Sequence, residues 1–478
     1  MNDSVIAPRV RAVENMVARA RSRTRASRST SACAHCHVEL WVSFFFDGTN
    51  NHRVRDFPTE HSNVAALFDA HERDDDLGVR AFYYEGVGTE FEFEDRIEEK
   101  TIHHQGTAHR MPVLGYRENE STARQAVGSG IDIRLEKAIF EFEMYVRDWK
   151  LRKRVDAINV AAFGFSRGAA TARAFANWLA HHRLVRTHQD GLEFDGVPLR
   201  FRFLGIFDTV ESIGLGRPNT RPELIRTSLP GHVERALHCV AAHELRPTFG
   251  LTGLGSERYV QVVYPGAHSD IGGGYRDGSQ GRSNALAKVP LLQMLDHARG
   301  AGLKLLSIGE MRARGAWQDI FAPSFELPAE VSRDLSRYMS HVRTGSGPMN
   351  DVFLAHMEVF WQWLDSGHAA QANAEIFREH WTGARASEEG AGEVRRELGR
   401  VFNLYAQLVR TDEGRGAGHL SGAPAHPPAP DAVAPGIDSF FRRYVHDSQA
   451  GFVRANTLMK DFNHVDYYRV RAIHAPAA

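Results

Sequence analysis

Val160-Ala161-Ala162-Phe163-Gly164-Phe165-Ser166-Arg167-Gly168-Ala169-Ala170-Thr171-Ala172-Arg173 is the stretch whose reading decides the fold. The apolar residues from Val155 to Phe163 have the composition of a buried strand, and the alanine-rich run from about Ala169 to His182 that of a helix. Between them stands Gly164-Phe165-Ser166-Arg167-Gly168, the G-x-S-x-G pattern in its strand-to-helix setting. The spacing has a steric reason. A serine on so tight a turn takes a strained backbone conformation, and small residues two positions to either side let strand and helix approach closely. The helix that follows offers its dipole and free N–H groups to an oxyanion formed during acyl transfer. The bland alternative is an ordinary glycine-bounded turn.

A nucleophilic serine needs a base and an orienting acid, and in doubly wound hydrolases these follow in the chain order Ser, Asp or Glu, His at strand ends. Asp208 ends the predicted strand Leu199 to Phe207, and His268 follows the predicted strand Tyr259 to Tyr264 through Pro265, Gly266 and Ala267. Asp208 would orient the imidazole, and His268 would take the Ser166 proton and return it to the leaving group. As a helix cap ahead of Thr209, Asp208 would have no chemical role. His446, in Tyr444-Val445-His446-Asp447-Ser448, is the rival base, and if it lies near the site it shapes it; Asp270 is the weaker rival acid. The oxyanion donors expected are the N–H of Arg167 and the loop Asp47-Gly48-Thr49-Asn50-Asn51, through Gly48 and Thr49. An Asx-rich turn with no role beyond geometry is the alternative for that loop.

Working outward, Leu40 to Phe46 and Val79 to Tyr84 read as further strands, and Ser62 to Glu72, Ile131 to Trp149 and Leu291 to Ala301 as helices. Strands alternating with helices predict an α/β fold with a mostly parallel sheet covered on both faces. Beyond about residue 305 the strand signal fades, and Val352 to Leu364 and Arg395 to Leu408 read as helices in a mainly helical C-terminal region. The aromatic stripe of Phe353, Phe360, Trp361 and Trp363 reads as core, although the same helix is a candidate apolar cover for a site. The expected division is a basic, flexible arm over 1–39, a catalytic domain over 40–305, and a helical region over 306–478 packed on it. A Pro/Ala/Gly-rich loop at 412–436 interrupts the last part.

Composition narrows the function. The chain has 478 residues with 58 Lys and Arg against 59 Asp and Glu, so no global field attracts nucleic acid. No apolar run approaches the roughly 20 residues needed to cross a bilayer. The seven arginines of residues 1–30 resemble a transit peptide in composition, but no apolar segment follows and a solvated basic arm is expected. With 3 cysteines a disulfide framework is not expected; Cys33-Ala34-His35-Cys36-His37 matches a haem-attachment or half-zinc spacing, and a polar lead into a strand is the simpler reading. Asp47, Asp270 and Asp277 read as loop carboxylates, so neither metal nor cofactor is expected.

Six runs in order, FFFDGTNN, YYEGVGT, GFSRGAA, FLGIFDTV, YPGAHSDIGGGY and YVHDSQAGF, resemble the catalytic region of type VI secretion lipase effectors of the first class. These are α/β-hydrolase phospholipases. The resemblance covers about residues 40 to 280 with an echo near 440 to 452. It implies a phospholipase A with its catalytic serine at Ser166, aspartate at Asp208 and histidine at His268, acting on membrane phospholipid. It also implies delivery without a signal peptide by spike or adaptor proteins of the secretion apparatus into rival cells, in the periplasm, and restraint at home by a cognate immunity protein. The chain departs from the pattern at His238-Cys239-Val240-Ala241-Ala242-His243-Glu244-Leu245-Arg246, where the family's acidic, arginine-containing run survives only in part. A serine esterase on a soluble ester or peptide and a non-catalytic docking module on a hydrolase scaffold are the competing readings.

Overall fold

A computed structural model describes residues 37–89, 130–189, 191–211, 226–246, 248–314, 321–365, 433–448 and 470–477, with short strand segments at 91–92, 98–104, 107–113 and 117–118. The basic arm, Cys33 to Cys36, the predicted helix 395–408 and most of the Pro/Ala/Gly-rich stretch lie outside the described residues.

The strands are β1 (His37–Phe46), β2 (Val79–Tyr84), β3 (Arg154–Phe165), β4 (Val185–His188), β5 (Gly191–Phe194), β6 (Val197–Phe207), β7 (Ala236–Ala241), β8 (Leu251–Thr252), β9 (Val260–Tyr264) and β10 (Ile473–His474). The main helices are α1 (Asn63–Ala70), α2 (Ile131–Arg152), α3 (Arg167–Ala180), α4 (His268–Gly272), α5 (Lys288–Gly300), α6 (Ala329–Met339), α7 (Met349–Asp365) and α8 (Pro435–Tyr444). The sheet is mixed. Along the order β9-β7-β6-β3-β1-β2 every neighbouring pair is parallel, and the β4–β5 hairpin adds antiparallel pairing beside β6.

Side chains alternate across a strand, so consecutive phenylalanines in β1 serve opposite layers. Phe44 and Phe46 pack with Phe175 of α3, at ring-centroid distances of 4.4 and 5.7 Å, on the face that α2 also covers. Phe45 stacks on Phe163 of β3 at 4.7 Å on the other face, with Leu67 and Phe68 of α1 and Leu291 and Met294 of α5. Burial on both faces explains why β1 and β3 read as continuous apolar runs. Ser62 caps α1 by accepting from the Ala65 N–H at 3.0 Å.

β7, all six residues buried, is a strand that periodicity alone did not reveal, and it separates β6 from β9. The C-terminal helices α6, α7 and α8 build a second aromatic cluster around Tyr338, Trp361, Phe440 and Phe441. Trp363 stacks on Phe441 at 4.8 Å and donates its indole N–H to Asp438 Oδ1 at 2.9 Å. The aromatic stripe of α7 is therefore core, which corrects its expectation as an apolar cover: Phe353, Phe360, Trp361 and Trp363 are all buried.

Candidate active site

Ser166 sits at the end of β3 and caps α3 with φ 57° and ψ −124°, a strained positive-φ conformation that costs a non-glycine residue roughly 1–3 kcal/mol. Hydrogen bonds hold it there. Its N–H donates to Phe207 O at 3.0 Å, and its carbonyl accepts from Val210 N at 3.3 Å and Ala169 N at 3.1 Å. The two flanking glycines are sterically required. A Cβ at Gly164 would lie 2.3 Å from Gly168 O, and one at Gly168 would lie 2.2 Å from Phe46 O. Strand and helix thus cross at backbone contact, with the serine 3% exposed at the crossing.

Its bonds to Phe207 and Val210 bring the serine turn beside Asp208, which also has a positive φ, 44°. Asp208 Oδ2 is 2.5 Å from His268 Nδ1. The other oxygen, Oδ1, accepts from the Ala241 N–H at 2.9 Å and from Arg471 Nη1 at 2.5 Å. Burial works against the Asp208 charge, but the Arg471 guanidinium and the His268 ring outweigh it and hold the carboxyl well below the usual carboxylate range. Burial also lowers the His268 imidazole below its ordinary value, against the opposing pull of Asp208.

His268 opens α4 directly after β9, with its ring against Phe165 at 4.5 Å, one residue before the serine, and edge-on to Phe249 at 5.2 Å. Its N–H donates to Glu244 Oε2 at 3.3 Å. Glu244 in turn accepts from Arg246 Nε and Nη2, each at 2.8 Å, and Arg246 lies 3.4 Å over the Phe249 ring. The surviving part of the acidic, arginine-containing run is therefore the support under the histidine. Below Asp208, His238 Nε2 accepts from the Thr209 N–H at 3.1 Å, and burial pushes this imidazole down to about 3, so it is neutral.

The loop after β1 is pinned by Asp47, whose Oδ2 accepts from Ser62 Oγ at 2.7 Å and Tyr83 OH at 2.5 Å. Burial raises the Asp47 carboxyl to about 6 despite these donors. Gly48 was expected as an oxyanion donor, but its N–H donates to Asp47 Oδ1 at 2.7 Å and is engaged within the loop. Thr49 Oγ1 accepts from Arg167 Nε at 2.6 Å, joining this loop to the serine turn. Burial, with Arg134 nearby, lowers the Arg167 guanidinium to about 10.

Asp270 and His446, the rival acid and base, pair with each other. His446 Nδ1 is 2.6 Å from Asp270 Oδ1, its N–H donates to Asp270 Oδ2 at 3.0 Å, and its ring stacks on Tyr275 at 4.0 Å. Asp270 Oδ2 also accepts from the Ala267 N–H at 2.8 Å, so the pair ties the C-terminal segment to the turn that delivers His268. His37, the last residue of the Cys/His run, starts β1 and lies 2.9 Å from Asp156. No group of three or more His, Cys, Asp or Glu among the described residues is arranged to hold a metal ion, and no described helix is long and apolar enough to cross a membrane. Sequence reading missed Arg471 altogether; an isolated arginine near the end of the chain has no local pattern to announce it.

The family model described as "T6SS, Phospholipase effector Tle1-like, catalytic domain" matches residues 42–195 and 186–297. Among solved structures, the chain is similar to an uncharacterized protein from Pseudomonas aeruginosa. That match has 20% identity and a TM-score of 0.59, covering 99% of this chain and 83% of that one. It is also similar to the structure titled as the Tle1 effector bound to the VgrG spike of the type 6 secretion system. There the identity is 16% and the TM-score 0.43, over 69% of this chain and 88% of that one. The search of curated proteins found no match. With its two matched spans running over 42–297, more than half of the sequence, the chain belongs to the Tle1-like family of type VI secretion phospholipase effectors.

Proposed function

We propose that the chain is a serine hydrolase of α/β-hydrolase type that cleaves fatty-acyl esters of glycerophospholipids, a phospholipase A delivered as an antibacterial type VI secretion effector. The observation that carries the reading is the 2.5 Å contact of buried Asp208 with His268 Nδ1 beside a serine held at positive φ. With Nδ1–H directed to the carboxylate, Nε2 is the basic nitrogen. In the proposed reaction Ser166 Oγ attacks the ester carbonyl carbon and its proton passes to His268 Nε2. The N–H groups of Arg167 and Thr49 receive the developing oxyanion, since Gly48 N–H is engaged by Asp47. His268 then protonates the departing lysolipid oxygen. Water, deprotonated by the same nitrogen, attacks the acyl-enzyme, and as the C–Oγ bond breaks His268 returns that proton to Ser166 Oγ, releasing the fatty acid.

Family membership supports the substrate class and suggests the partners: a spike or adaptor for delivery and a cognate immunity protein that blocks the site before export. The test is fatty-acid release from mixed phospholipid vesicles by wild type beside Ser166→Ala. The expected loss is at least about 10⁴-fold with unchanged folding by circular dichroism. Equal release by both proteins would sink the serine mechanism. Hydrolysis of short soluble esters with none of vesicle lipid would keep the chemistry and replace the substrate, and target-cell killing untouched by Ser166→Ala would favour a docking module.

A further inference from the structure

Arg471 is 5% exposed and lies 263 positions from Asp208 in sequence, yet its Nη1 is 2.5 Å from Asp208 Oδ1. The same guanidinium donates through Nε to Phe249 O at 2.8 Å and through Nη1 to Ala241 O at 3.2 Å. It is therefore fixed to two segments: the end of β7, whose Ala241 N–H also holds Asp208, and the turn whose Phe249 side chain packs on the His268 ring. The segment carrying Arg471 is itself stapled. β10 runs parallel to β8, Leu251 N donates to Ala472 O at 2.9 Å, and Thr227 and Ser228 donate to Ala477 O at 3.1 and 2.7 Å.

We propose that Arg471 is a positioning residue for the hydrolytic site: it locks the Asp208 carboxylate so that Oδ2 faces His268 Nδ1, and it offsets the carboxylate's charge. The inference rests on the hydrolase reading above. With Oδ1 held by Arg471 and the Ala241 N–H, the carboxylate has no free rotation, and Oδ2 alone addresses the imidazole. A buried aspartate facing only a histidine would act on the ring with its full charge in a poorly screened setting. Arg471 supplies a second, fixed positive charge on the far side. The other groups facing this pair are Glu244 and Arg246, which bond to each other, and His238, which is neutral. Removing Arg471 therefore leaves Asp208 uncompensated and raises the basicity of His268.

The experiment uses the full chain as Arg471→Met and Arg471→Lys, with kcat/KM for ester hydrolysis followed from pH 4 to 9. Rates are normalised to active sites counted with a serine-directed phosphonate, so partial misfolding does not enter. In Arg471→Met the acid limb should move up by about one pH unit, as loss of a nearby buried charge requires, and kcat should fall. Arg471→Lys keeps the charge, so its limb should stay at the wild-type position. Its kcat should fall roughly tenfold, since lysine cannot reproduce the fixed fork that reaches Phe249 O and Ala241 O. A wild-type limb and kcat in Arg471→Met would overturn the proposal. Where Arg471→Met does not fold, a wild-type kcat in Arg471→Lys would overturn it as well. Failure of the phosphonate to label Ser166 in the wild-type protein would instead remove the hydrolase reading, before any Arg471 variant is compared.

Discussion

Two buried carboxylate–imidazole pairs lie close together in this molecule and look alike in isolation. Asp208–His268 closes at 2.5 Å and Asp270–His446 at 2.6 Å, through Nδ1 in both cases. Their surroundings differ. His268 lies against Phe165, the neighbour of a serine on a strained turn, and its aspartate is braced by Arg471. His446 is stacked on Tyr275, its Nε2 has no hydrogen-bond partner among the described residues, and its aspartate is held by the Ala267 and His446 N–H groups. A carboxylate orienting an imidazole is thus not itself a catalytic device. What distinguishes the first pair is a positive-φ serine on the adjoining turn and a counter-charge behind the acid. The second pair is a strut between the chain's C-terminal part and the turn before His268.

The sharpest way to break this comparison is to remove each imidazole in turn. His268→Ala should lower fatty-acid release by about 10³- to 10⁴-fold or more, whereas His446→Ala should cost no more than about tenfold per folded molecule. The reverse order would exchange the two roles. A smaller effect, of the opposite kind, is expected at the second aspartate. Asp270→Asn weakens a buried pair and should reduce unfolding stability by about 3 kcal/mol in urea titration, with activity of the folded fraction largely kept. An activity loss as deep as that of Asp208→Asn would show that both pairs act in the chemistry.

The smallest effect is a displacement along the pH axis. Because burial lowers the His268 imidazole, the free base persists to lower pH than an ordinary histidine's. The acid limb of kcat/KM for the wild type should therefore fall below about 6.5, the unperturbed value. Asp208 stays ionised throughout that range, since its carboxyl is held well below the usual one. Its contribution to stability is complete above the unfolded carboxylate value of about 4 and is lost only as pH falls through the lower folded value. An acid limb above about 6.5 would mean that Asp208 dominates the ring more than burial does.

Much of the candidate site is legible in the sequence. The glycines of the serine turn, the strand ends at Asp208 and His268, and the Asp47 loop all carry local patterns, because each is a tight turn at the end of an apolar run. Other parts were not readable, for physical reasons. β7 has only six residues, all buried, and its His238 and Cys239 hide the apolar run. The engaged Gly48 N–H depends on a side-chain rotamer of the preceding residue, which spacing does not encode. Asp270 could be recognised as an acid near a histidine, but not that its histidine lies 176 positions away. Arg471 is the extreme case, a single side chain whose role exists only through tertiary contact.

That long reach bears on how the protein comes to be competent. The serine turn is built from the β3–α3 crossing against β1 and from bonds to Phe207 and Val210 about 40 positions on, whereas Arg471 meets Asp208 only by closing 263 positions of chain. Closing so long a span adds little to the equilibrium cost but slows assembly, because loop entropy is lost before the contact is gained. The sheet and the serine turn can form while the charge on Asp208 is still uncompensated. Refolding should then register as two events, with recovery of the sheet's circular dichroism preceding recovery of ester turnover, and the interval between them is the time the last segment takes to find its place.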